Sequence, residues 1–165
     1  MSPNDPTSTP SPSNLVFTLA QTSKSPIKLQ VTLRNTHPSS AITVLKWDSP
    51  LDPQAPNLGV FRITNAATGE DVDIPRLMVN RLLPPSRDAL QDIAAGSEYS
   101  TEVVLDKSWM PSDRWTKYKV KVAGRWKAVW AKPVQDIDAN ELESLGGGNE
   151  AMTGEFSSEE IDLVV

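Results

Sequence analysis

Short runs of strict alternation, cut apart by proline, restrict this chain more than any other feature. Ile27, Leu29, Val31 and Leu33 are spaced by Lys28, Gln30, Thr32 and Arg34. A period of two puts one set of side chains on a buried sheet face and leaves the other in water. The pattern returns at Leu15, Phe17 and Leu19, and again at Tyr99, Thr101, Val103 and Leu105. Residues 41–47 and 59–64 read as further strands, bounded by the turn clusters 35–40 and 65–69. Fourteen prolines in 165 residues remove backbone donors too often for long helices. Eight or nine short strands with loops between them predict an all-β antiparallel sandwich.

The last strands are the plainest. Tyr118, Val120 and Val122 interleave with Lys117, Lys119 and Lys121, and beyond Ala123-Gly124 the residues Trp126, Ala128 and Trp130 interleave with Arg125 and Lys127. This predicts a hairpin turning at Ala123-Gly124, aromatic inside and basic outside. Residues 75–88 have no clean period, although Leu77, Val79 and Leu82 permit a strand that Pro84-Pro85 would end. The expected organisation is a disordered Pro/Ser/Thr-rich leader over 1–13, the sandwich over 14–133, and an acidic tail over 134–165. Within the tail, Asp138-Ala-Asn-Glu141 has capping-box spacing for a short helix over residues 139–145. Gly146–Gly148 forms a joint, and an apolar peptide ends the chain.

Charge is divided in the same way. Residues 136–165 hold nine acids and no Lys or Arg, so the net charge of −5 conceals a body of +4 and a tail of −9. There is no cysteine, which excludes disulfides, thiolate catalysis and Cys-based zinc sites. The single histidine, His37, lies in a turn where solvent exposure is expected. One imidazole cannot supply a two-His zinc site, and a histidine in such a turn is not expected to serve as the base of a serine triad. Asp48, Asp52 and Asp71 offer oxygens of the kind Ca²⁺ takes, but without EF-hand spacing they read as turn formers. Gly146–Gly148 is followed by acids and would repel phosphate. No enzyme activity, cofactor or metal is expected. The first residues lack a basic-then-apolar leader, and no run reaches the ~18 apolar residues of a membrane span. The expected location is cytoplasmic, or secreted if a leader has been removed.

Several pieces recur in a known order. They are Val31-Thr32-Leu33-Arg34-Asn35-Thr36, Leu45-Lys46-Trp47-Asp48-Ser49-Pro50-Leu51, Phe61-Arg62-Ile63-Thr64 with Gly69-Glu70-Asp71-Val72, Val79-Asn80-Arg81, Ile93-Ala94-Ala95-Gly96-Ser97 and Val104-Leu105-Asp106-Lys107-Ser108-Trp109. In this order, residues 14–130 resemble the pro-domain that precedes the catalytic domain of deuterolysin-like and peptidyl-Lys metalloendopeptidases, the aspzincins. This chain carries Ala95 where that family tends to have proline. The resemblance implies an immunoglobulin-like β-sandwich that packs against a partner domain. It implies no protease activity here, because the His-Glu-x-x-His zinc motif of the catalytic domain is missing from the chain.

Two sets of residues are candidates for partner contact. One is the basic ribbon Lys117, Lys119, Lys121, Arg125 and Lys127, for which the acidic tail is a more economical partner than nucleic acid, since the aromatics point inward. The other is Ile161, Leu163, Val164 and Val165, flanked by acids and serines. That peptide resembles a SUMO-interacting motif, and its free terminal valine also suits PDZ-type capture. It could equally lie on a sheet edge of its own chain or of a second copy. The expected role is protein binding, as an inhibitor or chaperone of a protease. The alternative is an adaptor working through the terminal peptide.

Overall fold

The computed structural model of the chain describes residues 9–107, 109–111, 113, 115–143 and 151–165. Two antiparallel sheets enclose the core, as the alternation requires. One contains β1 (Leu15–Lys24), β2 (Ile27–Asn35) and β6 (Glu98–Val104), in the order β1-β2-β6. The other contains β3 (Ile42–Leu45), β4 (Phe61–Asn65), β5 (Leu90–Ile93) and β7 (Tyr118–Trp130), with β8 (Met152–Ser157) and β9 (Ile161–Leu163) added on β7. Phe17, Leu29, Val31 and Leu33 from the first sheet meet Phe61, Ile63, Val120, Val122 and Trp126 from the second.

β7 organises the second sheet. It is one strand of 13 residues, where the sequence predicts a hairpin turning at Ala123-Gly124. Its first half pairs with β4, Phe61 opposite Val122 and Asn65 opposite Tyr118. Further on, Val129 and Trp130 pair with Val44 and Thr43 of β3. β8 and β9 run antiparallel to β7, Met152 opposite Val129 and Leu163 opposite Tyr118. Gly124 is no turn residue. A Cβ there would stand 2.8 Å from the Phe156 ring, so the missing side chain is the space into which β8 inserts its aromatic. Phe156, Phe17 and Trp126 form a three-ring cluster with centroids 5.1–5.4 Å apart.

A register irregularity between Trp126 and Val129 redirects the end of β7. Val129 joins the main core, while Ala128 and Trp130 enter a second cluster with Leu45, Leu90, Ile137 and Leu142. Trp130 is therefore buried in this second cluster rather than in the main core. The cover over this second cluster comes from a 3₁₀ turn at Val134–Asp136 and from α1 (Ala139–Glu143). α1 starts as its capping box predicts. The Asp138 carboxylate accepts from Glu141 N–H at 2.8 Å, and the Glu141 carboxylate accepts from Asp138 N–H at 3.3 Å.

The boundary drawn at residue 133 does not coincide with the sheet, which continues through β8 and β9. At the far end of the chain, the Gln21 amide donates to the Val164 carbonyl at 2.7 Å and accepts its N–H at 2.8 Å. This one side chain joins β1 of the first sheet to the last strand of the second. The leader boundary shifts as well: Pro10 is buried, and a 3₁₀ turn at Pro12–Asn14 brings Pro12 within about 3.1 Å of where a Cβ on Gly154 would stand. The expectations for residues 1–8 and for the Gly146–Gly148 joint lie outside the described residues.

Candidate binding face

The outer faces of the two sheets differ in how their charges are settled. On the β1-β2-β6 sheet, Lys28 pairs with Glu102 at 3.7 Å and Arg34 with Glu98 at 4.0 Å, and the Thr32 and Ser100 hydroxyls bond at 2.8 Å. Opposite charges lie across neighbouring strands, an arrangement that asks for no partner.

The β4-β7 face is built from the odd-numbered residues of β7 up to Lys127 and from Arg62. Lys119 meets Asp162 of β9 at 3.1 Å, and Lys127 meets Asp48 at 3.3 Å. The cations between these two contacts make no ion pair among the described residues, although the Glu160 carboxylate reaches Thr64 on the same face at 3.5 Å. Arg62 lies directly opposite Lys121, and among the described residues neither has an acid within ion-pair distance. Like charges in that position repel and cost stability. Arg125 lies opposite Glu155, yet its guanidinium donates to the Thr153 hydroxyl at 3.2 Å. Lys117, exposed just before β7, carries the positive stripe one step further.

A strap without secondary structure, residues 73–83, runs beside this face. The strand allowed by Leu77, Val79 and Leu82 does not form. Of the backbone groups over 73–80, only Leu77 N–H makes a backbone hydrogen bond among the described residues, to the Asn57 carbonyl at 2.8 Å. Arg81 anchors the strap. It donates to the buried Asp52 carboxylate at 2.5 Å and to Asp48 at 3.3 Å, and lies over the Trp47 ring at 5.4 Å. Met78 is 98% exposed and Leu82 89%, with Leu77 and Leu83 also out in solvent. Strap and sheet enclose an open cleft of about 550 Å³. Arg62, Arg76, Arg125 and Lys127 line it, together with the apolar Val60, Leu77 and Val79. The basic ribbon is legible in the sequence, whereas Arg62, Arg76 and the strap are not. The available signal was the absence of any period over 75–88 in a stretch that still carries large apolar residues.

Other predicted residues are placed differently. Leu163 is buried, Ile161 and Val165 pack on the main core, and of the terminal four only the Val164 side chain faces out. To act as a free peptide ligand, β9 would have to leave β7. His37 is fully buried rather than exposed. Its Nδ1 accepts N–H bonds from Ser39 at 3.2 Å and Ser40 at 3.1 Å, so the ring belongs to the turn itself. Asp48 and Asp52 do converge, but the Arg81 guanidinium already occupies the space between them. Asp71 lies apart, bridged to Thr64 on the β4 hairpin. Asp52 accepts N–H bonds from Asp48 and Gln54 as a turn former does. Of the five tryptophans, Trp115 is 91% exposed, just ahead of the basic strand. Its loop is held by Asp113, whose carboxyl is kept below the usual aspartate value by hydrogen bonds from the Thr116 hydroxyl and then Trp115 N–H.

Two antiparallel sheets packed face to face around one core make a β-sandwich of the immunoglobulin type. The chain belongs to the immunoglobulin-like domain family, whose family model matches residues 14–165. That match takes in β8 and β9 along with the rest. The chain is also 34% identical over 141 residues to an uncharacterized secreted protein of Arthroderma benhamiae, covering 84% of this chain and 69% of that protein. Neither description mentions a protease or a pro-domain.

Proposed function

We propose that this chain is a protein-binding β-sandwich without catalytic chemistry of its own, acting on its partner as the aspzincin pro-domain it resembles acts on a protease, as inhibitor or folding chaperone. The observation that carries the reading is the β4-β7 face. Cations without an ion pair and solvent-exposed Leu and Met side chains lie side by side there, while the opposite sheet has settled its own charges. A patch of this composition is what protein interfaces use: apolar contact for affinity, charge for orientation. The one imidazole, His37, accepts two backbone N–H bonds within its own turn, which supports a non-catalytic reading. The secreted description of the Arthroderma benhamiae relative favours a secreted setting for this chain over a cytoplasmic one.

The test is direct. An aspzincin-type metalloendopeptidase catalytic domain is refolded and assayed with and without this chain. The expected result is a stoichiometric complex on size exclusion, with either lowered peptidase activity or a raised refolding yield. No complex and no effect on either measure, at concentrations up to about 100-fold over the enzyme, would remove the protease from the reading.

A further inference from the structure

We infer that the cleft between the 73–83 strap and the β4-β7 face binds an extended acidic peptide segment carrying apolar side chains. The inference rests on the protein-binding reading and names the chemistry of the partner.

Three observations select that occupant. The first is charge. Arg62, Arg76, Arg125 and Lys127 line one cleft, and Lys121 stands opposite Arg62 on the same face. Among the described residues, Arg62, Arg76 and Lys121 have no acid within ion-pair distance. The bordering acids offset this only in part: the Glu160 carboxylate reaches the Thr64 hydroxyl on the same face at 3.5 Å but makes no ion pair with Lys121 or Arg62. Asp48 already holds both Arg81 and Lys127. Glu155 lies across from Arg125 without an ion pair, and Asp71 and Asp73 share an adjoining hollow with Arg62 and Arg76 but pair with neither. A carboxylate placed between Arg62 and Lys121 would relieve the like-charge repulsion the fold leaves there.

The second observation is apolar lining. Leu77 and Val79 of the strap line the same cleft, with Met78 at its rim. A bare polyanion would gain nothing from them. Side chains such as Leu or Phe on the ligand would, and an unbranched Met adapts to several shapes. The third is backbone. Apart from the Leu77 N–H, the strap's N–H and C=O groups over 73–80 have no backbone partner among the described residues. An extended segment lying alongside would use them, as added strands do.

The probe is a synthetic peptide bearing Glu and Leu at alternate positions of a Gly-Ser background, fluorescently labelled and titrated into the full chain. A peptide with Lys in place of Glu, and a sulfated polysaccharide, are run beside it. Binding is read by anisotropy and located by amide chemical shifts. The expected result is saturable binding of the acidic peptide alone, with shifts at residues 60–62, 76–79 and 121–127. The double variant Arg62→Glu/Arg125→Glu should weaken it at least about tenfold, and Met78→Ser should weaken it about two- to fivefold. All three side chains are exposed, so the thermal midpoint should stay near that of the parent, which separates lost binding from lost fold.

Equal or tighter binding of the polysaccharide, shifts confined to other faces, or no saturation of the acidic peptide would each overturn the proposal. A chain that fails this titration yet still forms the protease complex leaves the protein-binding reading standing and removes only the cleft.

Discussion

At the scale of single residues, Gly124 contributes by what it lacks. Its pairing with Ala123 reads as a turn, since Ala-Gly between two alternating runs is a common hairpin signal. Yet the even-numbered parity from Tyr118 through Trp126 is unbroken across it, and that continuity marked a single strand. The glycine makes room for Phe156, which comes from a strand 32 positions later in the chain. Gly124→Ala should therefore cost about 1–3 kcal/mol by overpacking, a fall in thermal midpoint of roughly 2–4 °C per kcal/mol for a chain of this size. In a Phe156→Leu background the same substitution should cost clearly less. Equal costs in both backgrounds, measured by denaturant titration, would mean that the ring and the glycine are not coupled. His37 carries a similar lesson. Small polar neighbours suggested an exposed turn, but a turn whose N–H groups need an acceptor can draw an imidazole inside to provide one.

At the scale of elements, the strap shows how an irregular segment is held without a ladder. Arg81 joins it to a buried carboxylate and to Trp47. Removing one partner of a buried pair leaves an uncompensated charge, at a cost of about 3–5 kcal/mol. Asp52 keeps two backbone N–H donors, so Arg81→Met should fall at or below the lower end of that range. The more specific readout is local. Amide exchange over 75–86 should rise in Arg81→Met, and Asp52→Asn added to it should recover part of the lost stability. Unchanged exchange in the strap would show that something other than Arg81 secures it. The strands with clean alternation, β1, β2, β4 and β6, were legible in the sequence because each has one buried face and one wet one. β3 was legible by composition only, since Ile42, Val44 and Leu45 are all buried once 134–143 covers its outer side. β8 was missed because Gly154 stands at an inward position between Met152 and Phe156 and hides the period. The nine acids were easier to see, and they drew the boundary too early.

At the scale of the molecule, the question is what keeps the last fifteen residues in place. A surface ion pair such as Lys119–Asp162 contributes about 0–1 kcal/mol and is screened by salt. Burying Phe156 and Leu163 is worth about 1.5–3 kcal/mol each, and salt does not weaken it. Apolar contact therefore outweighs charge. Amide protection of β9 should persist at about 1 M salt, where the Debye length is only ~3 Å. Truncation after Glu143 should lower the thermal midpoint sharply and make the protein scatter light as it associates. A truncated chain as stable and monodisperse as the parent would show that β8 and β9 contribute nothing to the fold. The pairing of β7 also has a consequence during synthesis. Its partners on one edge, β3 and β4, are made long before it, and those on the other, β8 and β9, come after it. Between the emergence of β7 from the ribosome and that of β8 and β9, a strand of 13 residues presents an unpaired edge and an unfilled site beside Gly124. The interval before residue 163 emerges is when a neighbouring nascent chain, or a chaperone, has its best access to that edge.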